Sequence, residues 1–319
     1  MPCYNAEKVL PNSLESISLQ RFRDFEVVFV EDGSSDRTVE LLNRFVSEVD
    51  FPCQVVVQPY NQGVAAARNR GVEVARGDYL AFVDADDRIE PGALEEAAKV
   101  LECDNSIDII GWDWMLCMEK SMRAIRQNDY DTPLQALKNL MGGTMRWNLW
   151  LFAVRRNLLL ENGIRFIPGA NMGEDMMLML KAFSCAEKVI QVHKPLYLYN
   201  AVSETSLSRQ FSTERRQEIS KNLGEAERYL KEGKFASVLH LDFQYLKLYL
   251  KRPLLISSDK SDYEIWYNWF PEVNRYAMSN KALPLHTRIL QGMAAKRFWL
   301  GVKLYYVLIH KFVYGVLYN

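Results

Sequence analysis

NQGVAAARNRGVEVARGDYLAFVDADD, residues Asn61 to Asp87, decides the fold. A polar turn with Gly63 leads into a helix-period run, and YLAFV (Tyr79 to Val83) follows as a short apolar strand. That strand runs directly into Asp84-Ala85-Asp86-Asp87. Upstream, QVVVQ (Gln54 to Gln58) and FEVVFVE (Phe25 to Glu31) have the same strand character. Between them Val39, Leu42 and Val46 share one helical face, with Asp36 expected as N-cap. Downstream, Pro91 is expected to open a helix that turns Leu94, Ala98 and Leu101 inward. Strand–helix–strand alternation with right-handed crossovers implies an α/β fold, a doubly wound and mostly parallel sheet flanked by helices. In such sheets ligands bind beyond the carboxyl ends of the strands. All three strands end there in polar turns: Asp32 to Asp36, Asn61 to Gly63, and Asp84 to Asp87.

From Gly111 to Ser208 the pattern mixes short strands with helices expected at Thr132–Met141, Arg156–Asn162 and Glu174–Ala186. Beyond Phe211 it turns helical, with long runs at Thr213–Lys231 and Val238–Lys251. The expected division is a catalytic domain over 1–208 and a helical C-terminal region over 209–319. Charge divides at the same place. From Ser206 onward 18 Lys and Arg meet 10 Asp and Glu, whereas the first 205 residues carry 21 and 30. An acidic front half argues against a nucleic-acid partner. The basic, aromatic-rich back half suits either a solvated helical face or an anionic membrane surface.

The five cysteines (Cys3, Cys53, Cys103, Cys117, Cys185) form no CxxC pair, which favours reduced, mostly buried thiols and a cytoplasmic setting. The opening MPCYNAEKVL has no apolar core of the signal-peptide kind. No segment offers about 20 uninterrupted apolar residues for a spanning helix. The end, RFWLGVKLYYVLIHKFVYGVLYN, comes nearest, but Lys303, His310 and Lys311 interrupt it. Residues Arg297 to Tyr318 are expected to form a helix lying at an anionic membrane surface, at the inner face of the cell membrane. The rival expectation is a packed helix that closes the core.

The Asp84-x-Asp86 pair, with Asp87 alongside, carries the clearest chemistry. Closely spaced carboxylates repel, and a divalent cation relieves the repulsion. Mg²⁺ or Mn²⁺ takes few protein oxygens and completes its shell with water and substrate phosphate. The plain structural alternative is an N-cap cluster ahead of Pro91.

Four segments taken together resemble a family 2 glycosyltransferase of the GT-A fold. They are PCYNAEKVL (Pro2 to Leu10), FEVVFVEDGSSDRT (Phe25 to Thr38), the 61–87 stretch, and ENGIRFIPGANMGED (Glu161 to Asp175), in that order. The resemblance covers residues 2–208 and implies an inverting, metal-dependent transfer of a sugar from a nucleotide-sugar donor, usually a UDP-sugar. It implies that Pro2, Tyr4 and Asp32 hold the base, that Arg68 approaches the base or diphosphate, and that Asp84 contacts ribose or metal. Asp86 is implied as the direct metal ligand and Asp175 as the general base, with Glu174 beside it. Acceptors in the family are commonly glycans or lipid-linked glycans of the cell envelope. Trp147 and Trp150 suit either sugar stacking or the core. His193, in a strand bent at Pro195, reads as structural rather than as a further metal ligand.

Other classes fit less well. No GxGxxG follows a strand, as a dinucleotide-dependent oxidoreductase requires. A nucleotidyltransferase would share the sheet and acidic ligands, but YNAEKVL is a poor substitute for its Gly-rich, Lys-containing loop. An inactive or binding-only relative would usually lose Asp86 or Asp175, and both are present. The resemblance also implies an apolar strand of about six residues before the Pro-x-Tyr-Asn segment. Met1 stands there directly, so this first strand is expected to be missing and the true start to lie upstream.

Overall fold

Pro2–Cys3 forms β1, Leu10–Ser18 α1, Val27–Glu31 β2, Thr38–Glu48 α2, Cys53–Val57 β3 and Val64–Val74 α3 in the computed structural model. The model describes residues 1–201 and 212–308. β1, β2 and β3 make a parallel sheet in the order β1-β2-β3, with Pro2 opposite Val30 and Val27 opposite Cys53. β1 comprises Pro2 and Cys3 alone. Phe29 and Val30 of β2 are buried, and Leu42 and Phe45 of α2 cover the sheet. Small residues let α3 lie close: Ala65 and Ala67 are fully buried, and a Cβ on Gly71 would just touch Val30.

The chain continues through β4 (Tyr79–Ala81), β5 (Arg88–Ile89), α4 (Ala93–Cys103), β6 (Ile109–Cys117), β7 (Met122–Ile125), α5 (Pro133–Gly142), β8 (Phe152–Arg155), α6 (Arg156–Glu161), α7 (Glu174–Cys185), β9 (Val189–Asn200) and α8 (Thr213–Lys231). The second sheet runs β4-β8-β6-β9-β5, with β7 added beside β6. The architecture is α/β, as expected, but the parallel arrangement holds for the first sheet only. In the second, β8 enters antiparallel between β4 and β6, and only β6 and β9 run parallel. A bulge at Trp112–Trp114 lets β9 turn at Pro195 while keeping its ladder with β6.

Asp36 does not sit at the N-cap of α2, which Arg37 occupies. Its carboxylate instead accepts from the Thr38 N–H and from the Glu7 N–H, both at 3.0 Å, so it ties two loops together. Similarly α4 begins at Ala93 behind Gly92, two residues past Pro91.

The described residues divide into two compact units, Met1–Ala136 with Trp147–Lys234, and Leu137–Arg146 with the residues from Phe235 onward. α8 belongs to the first unit and packs along α7. Lys181 of α7 and Glu225 of α8 pair at 2.5 Å, and Asn222 of α8 donates to the Ala170 and Met172 carbonyls.

The second unit is helical: α9 (His240–Lys251), α10 (Lys260–Asn268), α11 (Leu285–Ala295) and α12 (Trp299–Tyr305). Lys251 is fully buried within it. Its ammonium donates to the Trp269 and Phe270 carbonyls and to Asn274, and lies 4.1 Å from the Trp266 ring centroid. Of the expected tail helix, α12 covers Trp299–Tyr305; residues 309–318 lie outside the described residues. No helix among the described residues is long and apolar enough to cross a membrane. The five cysteines are free thiols, with Cys3 and Cys117 buried and Cys103 exposed.

Candidate active site

Two glycines let the strand-end loops close on one another. Gly33, at φ +74°, follows β2, and a Cβ there would stand 2.6 Å from the Asn61 and Tyr60 backbone. Gly63, at φ +87°, precedes α3, and its Cβ would strike the Asn171 side chain at 2.5 Å. Both positions combine a left-handed backbone with close approach, which only glycine meets without strain. Asn171 then accepts from the Ala65 N–H at 3.1 Å, so the loop before α7 is pinned to the first turn of α3.

Asp32 is buried at the end of β2. It accepts from the Gln62 and Gly63 N–H groups, both at 2.8 Å, and from Gln58 at 2.5 Å. Its own N–H donates to the Cys3 carbonyl at 2.9 Å, so Asp32 lies beside Pro2 and Tyr4 across the β1–β2 pair. Tyr4 is 51% exposed and Pro2 half-buried.

Arg68, on α3, is the hub. One guanidinium nitrogen donates to Asp175 at 2.7 Å and to Glu174 at 2.8 Å, and the other to Asp84 at 3.1 Å. Burial works against its charge, but Asp175, Asp84 and Glu174 outweigh this and hold its pKa above the usual arginine value. A buried guanidinium forked among carboxylates is geometry that lysine does not reproduce.

Glu174 and Asp175 open α7 behind Gly173, which is left-handed at φ +75°. Burial pushes the pKa of Glu174 well up, aided by the Asp175 charge and opposed by Arg68. Asp175 also rises, through burial and despite Arg68. Its second oxygen accepts from the Leu149 N–H at 3.2 Å. The two carboxyl groups are almost equally buried, with side chains 11% and 15% exposed, and both accept from Arg68.

The Asp84–Asp87 turn is anchored from behind. Tyr197 of β9 donates to Asp87 at 2.7 Å and accepts from the Asp84 N–H at 3.2 Å; the Asn200 N–H donates to Asp87 at 2.7 Å. Burial, then the Asp84 charge, pushes the Asp87 pKa up to about 8. Asp87 faces into the protein, whereas Asp84 and Asp86 remain half-exposed.

The order of motifs and their convergence agree with the comparisons. Residues 1–176, more than half of the chain, match glycosyl transferase family 2. The chain belongs to glycosyl transferase family 2. It is 29% identical over 206 residues to a Bacillus subtilis (strain 168) protein named uncharacterized glycosyltransferase EpsJ; the match covers 62% of this chain and 59% of that one. The chain thus spans less than two thirds of that relative. Among solved structures, S. aureus TarS 1-349 in complex with UDP-GlcNAc superposes with a TM-score of 0.72 at 19% identity, covering 97% of this chain and 90% of that one. The mannosyltransferase PcManGT from Pyrobaculum calidifontis, in complex with GDP-Man and Mn2+, gives 0.55 at 21% identity, covering 96% and 83%. At these identities the structural likeness establishes the fold.

In this family 2 chain Arg68 thus joins Asp84, Glu174 and Asp175 directly, while Pro2, Tyr4 and Asp32 gather at the β1–β2 end. The donor set for a cation is carboxylate oxygen, suited to a hard divalent ion. No group of three or more ligating side chains occurs among the described residues. Asp84 and Asp86 fit a cation that takes its remaining oxygens from phosphate and water. His193 stands elsewhere, between Asp113 at 3.2 Å and Asp129, consistent with a structural role. Trp150 is 3% exposed and stacks on Tyr197 and Tyr199 at 4.5 and 5.4 Å, so both aromatic contacts are internal. Trp147 is half-buried.

Tyr197, Asn171, Gln58 and Glu31 escaped sequence reasoning. Glu31 accepts from the Gly33 and Ser34 N–H groups at 3.2 and 2.5 Å and shapes the turn that follows it. Its one sequence signal was an acidic residue closing an otherwise apolar strand. Tyr197 gave none, because a tyrosine in a strand reads as packing.

Proposed function

We propose that the chain transfers a sugar from a nucleotide-sugar donor, with UDP-sugars as the donor class, to an acceptor hydroxyl with inversion at the anomeric carbon. The observation that carries this reading is the Arg68 hub, which brings the Asp84 turn and the Glu174–Asp175 pair to one point. The UDP-GlcNAc in the TarS structure supports the donor class, and the Mn2+ in PcManGT supports a divalent cation. In this reading the base stacks on Tyr4 beside Pro2, and its ring N–H donates to Asp32. Asp84 meets ribose or metal, and Asp86 is the direct ligand of Mg²⁺ or Mn²⁺. A bound cation offsets the negative charge that grows on the departing diphosphate.

Asp175 receives the proton of the acceptor hydroxyl as its oxygen forms the new bond to the anomeric carbon. The bond from that carbon to the phosphate oxygen breaks with its electron pair, releasing the nucleoside diphosphate. One carboxylate base suffices for a single displacement, which inverts the centre. Burial favours this role, since a raised pKa makes Asp175 a stronger base. Arg68, already paired to Asp175, supplies positive charge beside the diphosphate.

The acceptor class is a glycan or lipid-linked glycan of a surface polysaccharide, used at the inner face of the cell membrane. Exposed Phe298, Leu300 and Leu304 with Lys296, Arg297 and Lys303 support peripheral membrane contact there. The test of the donor site is thermal: UDP with Mn²⁺ raises Tm well above either alone, by binding linkage, and Asp86→Ala abolishes the synergy. Equal synergy in wild type and variant removes Asp86 as the ligand.

A further inference from the structure

The Asp84–Asp87 turn and Asp175 are joined a second time, apart from Arg68, through aromatic rings. Tyr197 is 1% exposed, and its hydroxyl lies across the turn. It accepts from the Asp84 N–H at 3.2 Å and donates to the Asp87 carboxylate at 2.7 Å. The Asp87 N–H donates to the Asp84 carbonyl at 3.2 Å, so both ends of the turn are held with Asp86 between them. The Tyr197 ring stacks on Trp150 with 4.5 Å between centroids and 12° between planes. Tyr199, two residues farther along β9, stacks on the same indole at 5.4 Å and 14°. Trp114 meets that indole edge-on at 5.3 Å, and the Trp150 carbonyl accepts from the Trp112 indole N–H at 2.9 Å. Trp150 is thus fixed by rings and by its own backbone. It belongs to a 3₁₀ turn, Leu149–Leu151, whose first N–H donates to Asp175 at 3.2 Å.

We propose that Tyr197 and Trp150 are positioning residues for sugar transfer, given the reading above on which this assignment rests. Through its hydroxyl, Tyr197 sets the turn that presents Asp86 to the cation. Trp150, stacked on Tyr197, sets the Leu149 N–H that aims Asp175. Arg68 also joins Asp84 to Asp175, but through a guanidinium for which a bound diphosphate competes. The stacked rings offer a phosphate no hydrogen bond, so this link persists when the donor is bound. Rings locked by packing are also the means by which reacting groups are held to a fixed geometry. A phenylalanine at 197 would keep the stack but take this partner from both the Asp84 N–H and the Asp87 carboxylate, which are held by the hydroxyl alone on that side.

The experiment compares wild type with Tyr197→Phe, which removes only the hydroxyl, and with Trp150→Phe, which shrinks the ring beside Leu149. Asp86→Ala serves as the reference for the cation. Both aromatic substitutions keep a ring in the stack. Readouts are Tm, UDP affinity with and without Mn²⁺, and kcat and KM for transfer. Tyr197→Phe weakens UDP binding in the presence of Mn²⁺ by about 10–100-fold, the usual effect of losing a hydrogen bond behind a metal site. Its UDP binding without Mn²⁺ is unchanged. Trp150→Phe does the reverse: UDP binding with Mn²⁺ is unchanged, and kcat at saturating donor falls by roughly 10²-fold, as expected for a displaced reacting group. Rings that only support the fold would instead lower Tm and shift UDP binding alike with and without Mn²⁺ in both variants, and that result overturns the proposal. So does a Trp150→Phe variant with wild-type kcat. Full Mn²⁺ enhancement in Tyr197→Phe, with none in Asp86→Ala, overturns it too and leaves the donor-site reading standing. Enhancement retained in Asp86→Ala overturns both.

Discussion

Arg68 and Asp175 are bound at 2.7 Å, the same guanidinium nitrogen reaching Glu174 at 2.8 Å. A helix that follows the second turn is thereby locked to a helix more than a hundred residues later, at the point where both begin to matter for chemistry. Replacing Arg68 with Met leaves buried carboxylates without their counter-charge, which costs about 3–5 kcal/mol when one partner of a buried pair is removed. Arg68→Met is expected to lower Tm and UDP affinity together, and Arg68→Lys to lose less Tm but still weaken UDP binding. Calorimetric unfolding and UDP titration check this. A Met variant as stable as wild type would show that the ion pairs do not organise the site.

The acidic pair sets a pH dependence. Asp175 accepts a proton only when ionised, and burial holds its pKa above 3.8. Transfer is therefore absent at low pH and rises as pH climbs through an apparent value above that of an ordinary aspartate. A profile of kcat/KM against pH checks it. An acid limb at or below 3.8 would mean that Asp175 is not the titrating base.

Much of this was readable before the structure. The strand, turn and helix signals around Asn61–Asp87 are local, so hydrophobic period and turn chemistry were enough to place Gly63 and Asp84 in turns next to strands, whereas Arg68 was legible only through the family resemblance. What stayed hidden depends on distant pairing. The antiparallel entry of β8 between β4 and β6 has no local signature, because three apolar residues followed by an arginine suit either direction. Asp87 read as a carboxylate alongside the Asp84-x-Asp86 pair, and the inward turn that it takes depends on the β5–β9 pairing that brings Tyr197 to it. Asp36 read as a cap, and a one-residue shift of the helix start turned it into a bridge between loops.

The exposed apolar residues of the second unit give a membrane prediction. Leu300 and Leu304, one turn apart on α12, are exposed beside Lys303. The chain is expected to co-sediment with vesicles containing anionic lipid, less so at high salt, and Leu300→Asp with Leu304→Asp to abolish this. Binding unchanged by the double substitution would assign this face to another partner.

The central claim is tested most directly by nucleoside diphosphate release and glycoside formation, measured for wild type and Asp175→Asn across a panel of nucleotide sugars and candidate acceptors. Asparagine keeps the size but removes the basic oxygen, and its single oxygen replaces the two that accept from Arg68 and from the Leu149 N–H. The account predicts that wild type turns over a UDP-sugar with Mn²⁺ present. In the variant, UDP affinity changes little and transfer falls by roughly 10²–10⁴-fold, the usual worth of a general base. Near-normal transfer by Asp175→Asn, in a variant that still folds and binds UDP, would contradict it.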